Sequence, residues 1–228
     1  MKSTANCLIH WAQILSEHPK RASDCNCWQH FGGEEWLLIL SKQPQFAKYC
    51  RWQFVDEWNC PQGHHNWVEL FSVQPQFADK LANWSILNDL EVSVILRSQP
   101  KLASYIGDVE KRGGKVVALV LKNNPEKMRL CKFEQLGSVD IREFVLEMDM
   151  INDDILTRLK WDRVSGEDWA AILSSKPDYS NRVADSQWQR FTVQDWGNLL
   201  EVQPQFKEQF NQFASDEVKR ATELFRRR

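Results

Sequence analysis

The chain has 228 residues, 43% of them hydrophobic, enough to bury a core in one domain or one repeat array. Its 29 Lys and Arg against 31 Asp and Glu give a net charge of −2, so no global electrostatic pull toward nucleic acid or anionic lipid is expected. The longest apolar runs, such as Trp36–Leu40 and Val116–Leu121, fall far short of a membrane span.

At the N-terminus the apolar stretch Cys7–Ile9 is short and broken by His10, and a signal peptide is not expected. Six cysteines (Cys7, Cys25, Cys27, Cys50, Cys60 and Cys131) show no disulfide-framework spacing, which points to a reducing cytoplasm.

The organisation is set by an internal repeat. Gln-Pro-Gln-Phe occurs three times, at Gln43–Phe46, Gln74–Phe77 and Gln203–Phe206, each with a Trp eight residues before the Pro. In chain order the register reads Trp11 to Pro19, Trp36 to Pro44 and Trp67 to Pro75. Val then takes the Trp slot, at Val92 to Pro100 and Val117 to Pro125. A degenerate unit runs from Ile141 to Asp149, followed by Trp169 to Pro177 and Trp196 to Pro204. The Pro slots are spaced by 25, 31, 25, 25, 24, 28 and 27 residues, so eight units cover almost the whole chain.

Each unit predicts two short helices. Apolar residues at the Trp slot and three and four positions later form one face of the first. Ser165 and Thr192, each with an acid three residues on, are expected N-caps, and Glu34, Glu35, Glu167 and Asp168 suit a first turn. Pro cannot continue that helix but suits the first position of a second one, α or 3-10. A second aromatic follows eight to eleven residues after the Pro, at Trp28, Trp52, Trp84, Phe133 and Trp188. With Trp161 in a looser register, ten of the eleven Trp fall in the two slots, and all ten are expected in the core between stacked units; Trp58 is the exception. The amide before Pro (Gln43, Gln74, Gln99, Gln203, with Asn124 as a variant) is read as satisfying carbonyls left where the first helix ends, in preference to a ligand-reading ladder. From Ser215 onward an amphipathic helix is expected to cap the array, so residues 1–214 are read as one repeat domain and 215–228 as its cap.

Val117-Ala-Leu-Val120-Leu121-Lys-Asn-Asn124-Pro125 resembles a unit of the leucine-rich repeat variant family. The resemblance implies an all-α, right-handed solenoid of about eight 25-residue repeats without strands. Trp in place of the family's aliphatic, a missing basic residue and a slightly longer period depart from its pattern. The Trp-x-x-Leu-Leu…Gln-Pro-Gln-Phe pattern is also similar to tandem repeats in bacterial proteins. A cysteine-containing leucine-rich repeat is the alternative, with Cys50-Arg-Trp52-Gln-Phe54 as its strand; most copies lack that alternation.

Chemistry is sparse. There is no phosphate loop, dinucleotide fingerprint, Gly-x-Ser-x-Gly or His-Glu-x-x-His, and Gly113-Gly114-Lys115 reads as a turn. No catalytic residue and no cofactor is expected. The stretched spacing of 31 marks an insertion at 55–66 that carries Trp58, Cys60, His64 and His65. With Cys25, Cys27 and His30 upstream these have zinc-ligand chemistry without finger spacing, so Cys25, Cys27, Cys60 and His64 are weak metal candidates, and a surface contact loop is preferred. Cys25 and Cys50 share the slot six after Pro, which reads as a small buried residue. Lys111, Arg112, Lys115, Lys122, Lys127, Arg129 and Lys132 form a second candidate surface. The expected function is a non-enzymatic scaffold that binds a protein through its concave face and the insertion loop. The alternative is a nucleic-acid-binding array using residues 111–132. No membrane partner is expected.

Overall fold

A computed structural model describes residues 2–52 and 66–225. Among these residues every regular element is a helix and none is a strand, so the segment after Cys50 that would form the strand of a cysteine-containing repeat has no such role at Arg51 and Trp52. Tertiary contacts divide the chain into two compact units, Met1–Asp108 and Val109–Arg228.

The first unit holds helices α1 (Lys2–Glu17), α2 (Gly33–Lys42), α3 (Asn66–Val73) and α4 (Asp89–Ser98). They pack in order, α1 on α2, α2 on α3 and α3 on α4. The second holds α5 (Gly114–Asn123), α6 (Ser138–Glu147), α7 (Asp153–Arg158), α8 (Gly166–Ser175), α9 (Asp185–Trp188), α10 (Val193–Val202), α11 (Lys207–Phe213) and α12 (Asp216–Phe225). There α5 packs on α6, α6 on α8, α8 on α10 and α10 on α12.

Every Pro in the repeat register, from Pro19 to Pro204, opens a 3-10 helix rather than an α-helix. The local cause is the residue before it. Pro restricts that residue to a non-helical backbone, and Gln43, Gln74, Gln99, Asn124, Lys176 and Gln203 all sit near φ −129 to −141° and ψ 68 to 74°. In that conformation one residue both closes and opens a helix. The Gln43 N–H donates to Ile39 O at 2.7 Å, and its carbonyl accepts from Phe46 N at 3.1 Å. Asp149, in the slot that lacks Pro, opens no 3-10 helix; the second segment of that unit is α7, with Asn152 accepting from Ile155 N at 2.9 Å.

The apolar stripe lies where the spacing puts it. Ile39, Leu40, Leu70, Phe71, Ile95, Leu96, Val120, Leu121, Ile172, Leu173, Leu199 and Leu200 are all buried, as are Trp36, Trp67, Trp169 and Trp196. The aromatic after each 3-10 helix reaches the Trp of the following unit. Trp28 stacks on Trp36 at 5.8 Å, Trp52 on Trp67 at 6.0 Å, Trp161 on Trp169 at 5.3 Å and Trp188 on Trp196 at 5.5 Å. Where Val occupies the next Trp slot, Trp84 stacks on Phe71 and Tyr105 instead. Offset ring pairs of this kind contribute about 0.5–1.5 kcal/mol beyond their buried area.

Two glycines permit close helix approach. A Cβ on Gly114, the first residue of α5, would sit 1.7 Å from the Asp140 carbonyl oxygen of α6. A Cβ on Gly197 would sit 2.7 Å from the Phe225 ring, which is how α12 lies against α10.

Candidate binding surface

The Gln-Pro-Gln-Phe motif is a hydrogen-bonded relay between successive repeats. Gln43 Nε2 donates to Ser16 O (2.8 Å), Gln74 to Ser41 O (2.9 Å), Gln99 to Ser72 O (2.9 Å) and Gln203 to Ser174 O (2.7 Å). Each acceptor lies three residues before the Pro slot of the preceding repeat. Each lies in the last turn of its first helix, where the chain leaves the helix before an N–H four residues on can pair with that carbonyl. The Gln of the next repeat supplies the missing donor. The amides do satisfy carbonyls at the end of a first helix, but of the neighbouring repeat's helix rather than their own. The second Gln of the motif completes the relay: Gln45, Gln76 and Gln205 donate to Gln43, Gln74 and Gln203 Oε1 at 2.8, 2.6 and 2.7 Å. The Phe is core, with Phe46, Phe77 and Phe206 all buried. Lys176 stands in the Gln slot of its repeat and does the same work, its Nζ donating to Met148 O; burial holds its pKa below the usual lysine range.

The opposite ends of the first helices carry acids in the third position. Glu35 accepts from Gly32 N (2.9 Å), Glu91 from Asn88 N (2.9 Å), Asp140 from Gly137 N (3.3 Å) and Asp195 from Thr192 N (2.8 Å). Ser165 and Thr192 cap as the sequence predicts, each accepting from the acid's own N–H at 3.2 Å. In the second unit these caps also join repeats. Asp140 Oδ1 accepts from Gly114 N at 3.1 Å, and buried Asp168 accepts from Arg142 Nη1 at 2.7 Å and from the Ser138 and Ser165 hydroxyls. Sequence reading missed this network. The recurring Ser at Ser16, Ser41, Ser72 and Ser174, three before Pro19, Pro44, Pro75 and Pro177, was the available signal for the relay acceptors.

The predicted site residues fare unequally. Trp58, Cys60, His64 and His65 lie outside the described residues. Cys25 is buried in the slot six after Pro, as are Leu81, Ile106, Cys131, Ile155, Val183 and Phe210, so it is a core residue. Cys27 is half-buried, with its Sγ 3.5 Å from that of Cys25. Among the described residues no three His, Cys, Asp or Glu side chains converge as a metal site.

The basic cluster is smaller than its sequence suggests. Arg112 is 8% exposed and so does not belong to a solvent-facing patch, a correction to the expectation. Lys122 is ion-paired with Asp149 at 3.2 Å and lies 4.0 Å from Glu147. Burial lowers the Lys127 pKa. Of the five basic residues proposed for binding, Lys111, Lys122 and Arg129 are exposed and Lys115 is half-buried. The reason is that the repeat register turns the Arg112 position inward and places the acids of the degenerate unit beside Lys122.

The outward faces of the first helices carry apolar residues. Leu90 (60% exposed) and Val94 (45%) lie one turn apart on α4, opposite its buried stripe, and Val73 (52%) is on the adjoining α3. In the second unit Val139, Leu146, Met150 and Val202 are exposed. No helix of the described residues is long and apolar enough to cross a membrane.

No family model matches the chain, and no curated protein or solved structure matches it.

Proposed function

We propose that the chain is a non-enzymatic repeat scaffold, a right-handed solenoid of about eight repeats of the leucine-rich repeat variant type, with α12 as its cap. It binds another protein through its concave face and the 55–66 insertion. The observation that carries this reading is the pairing of an inter-repeat bond ladder with outward apolar residues. The Gln–carbonyl ladder fixes successive helices against each other, and Leu90, Val94 and Val73 are then presented on helix faces that the fold itself leaves uncovered. Contiguous exposed apolar side chains of this kind mark interaction surfaces more often than isolated ones do. A stacked array adds length to such a surface.

The test compares wild-type protein with the Leu90→Asp/Val94→Asp double variant in crosslinking and affinity capture from the native host. A partner lost by the variant, with unchanged far-UV circular dichroism, supports the reading; identical capture by both removes the apolar face from it. Titration against RNA and DNA at two salt concentrations addresses the alternative, because backbone contacts make affinity fall steeply with salt. With Arg112 buried and Lys122 paired, little salt-dependent affinity is expected.

A further inference from the structure

The segment between the Pro19–Asp24 3-10 helix and the short 3-10 helix Trp28–His30 places two thiols against each other. Cys25 and Cys27 Sγ atoms are 3.5 Å apart. Both are free thiols, two positions apart in sequence with Asn26 alone between them. Cys25 is fixed in the core slot, whereas Cys27 is half-buried and reachable from solvent. Trp28, the next residue, stacks on Trp36 and on Tyr49 at 4.5 Å. The pair therefore adjoins the aromatic joint between the first two repeats. Cys27 has no equivalent cysteine in the other units, whose corresponding positions, eight after the Pro slot, are Trp52, Asn83, Asp108, Phe133, Thr157, Asp185 and Gln212.

We propose that Cys25 and Cys27 are a redox modification site that closes to an intramolecular disulfide when a hydroperoxide oxidises Cys27. In the first step the Cys27 thiolate attacks the terminal peroxide oxygen. The O–O bond breaks, an S–O bond forms, and the leaving oxygen departs as hydroxide and takes up a proton to become water (or the alcohol of an organic peroxide). In the second step the Cys25 sulfur attacks the Cys27 sulfur; the S–S bond forms as the S–O bond breaks, and the hydroxyl leaves as water. Two electrons pass from the sulfurs to the peroxide, and the two thiol protons end in the two leaving oxygens. Burial first, and the Cys25 contact second, push the Cys27 thiol up to about 12. The thiolate is therefore scarce at neutral pH, and oxidation should speed up as pH is raised toward that value, since only the thiolate reacts.

The whole chain is treated with hydrogen peroxide at two pH values, alkylated in denaturant and digested with trypsin. Residues 22–42 form one peptide holding Cys25 and Cys27 and no other cysteine. The expected result is that this peptide loses two hydrogens, resists alkylation, and takes two alkyl groups after reduction, with faster conversion at the higher pH. In Cys27→Ser the peptide carries a single thiol that remains open to alkylation, and unchanged circular dichroism shows that the variant folds. Three results overturn the proposal. They are a peptide still doubly alkylated after Cys7 has been consumed, one that gains oxygen without forming a disulfide, and a crosslink from Cys27 to Cys7, whose charge also acts on Cys27.

Discussion

Gln74 is the side chain on which the inter-repeat relay can be tested most directly. It donates to Ser41 O at 2.9 Å and accepts from Gln76 Nε2 at 2.6 Å. Gln74→Leu keeps the side-chain volume and removes both bonds. The exposed Gln76 finds water instead, so its loss costs little. Ser41 O is different, because it is one of the carbonyls left without a helical donor in the last turn of α2. Leaving such a carbonyl partly buried and unpaired costs about 1–3 kcal/mol, and the half-buried setting of Gln74 favours the lower half of that range. For a chain of this size each kcal/mol lowers Tm by roughly 2–4 °C, so a fall of about 2–8 °C is expected. Gln74→Glu should lose at least as much at neutral pH, since a carboxylate cannot donate and faces a carbonyl oxygen. Gln76→Ala is the control, with a cost below about 0.5 kcal/mol. Thermal and urea unfolding followed by far-UV circular dichroism reads all three. The relay is refuted if Gln74→Leu melts with the wild type, or if Gln76→Ala costs as much as Gln74→Leu.

Other outcomes follow from the same contacts. Gly114→Ala would place its Cβ 1.7 Å from the Asp140 carbonyl oxygen, a backbone atom that cannot swing aside; a loss of more than about 3 kcal/mol or insoluble expression is expected. Gly197→Ala meets only the Phe225 ring, which is 40% exposed and free to rotate, and should cost under about 1 kcal/mol in the same denaturation assay. Lys176→Gln installs the residue that other repeats use and should leave stability within about 0.5 kcal/mol, whereas Lys176→Met removes the donor to Met148 O and should cost about 1–2 kcal/mol in urea. Burial pushes the Cys131 thiol up from 9.0 to about 11. The native state thus keeps a proton that the unfolded chain releases, so this contribution is present below pH 9 and lost as pH rises toward 11. Urea midpoints across that window should fall less steeply in Cys131→Ala than in the wild type.

The sequence alone determined which residues are core, because that information is periodic. The Trp slot and the pair three and four positions later land inside in the intact repeats from Trp36, Ile39 and Leu40 to Trp196, Leu199 and Leu200, whereas in the first repeat Leu15 is buried and Trp11 and Ile14 are half-buried. It also determined where the first helices stop, since Pro acts through covalent geometry that no tertiary contact can override. The choice of 3-10 over α for the second helix was left open, and so were the partners of each polar group. Gln43 is next to Pro44 in sequence, but its amide serves Ser16, 27 residues earlier, and Asp168 is at once its own helix's cap and the partner of Arg142 on the neighbouring one. Such pairings exist only when two repeats are stacked at a definite height and rotation. The same stacking turned Arg112 inward and set Lys122 against Asp149. Local pattern specifies what each repeat must bury; only the packed array decides which polar atoms meet and which side chains are left on the surface.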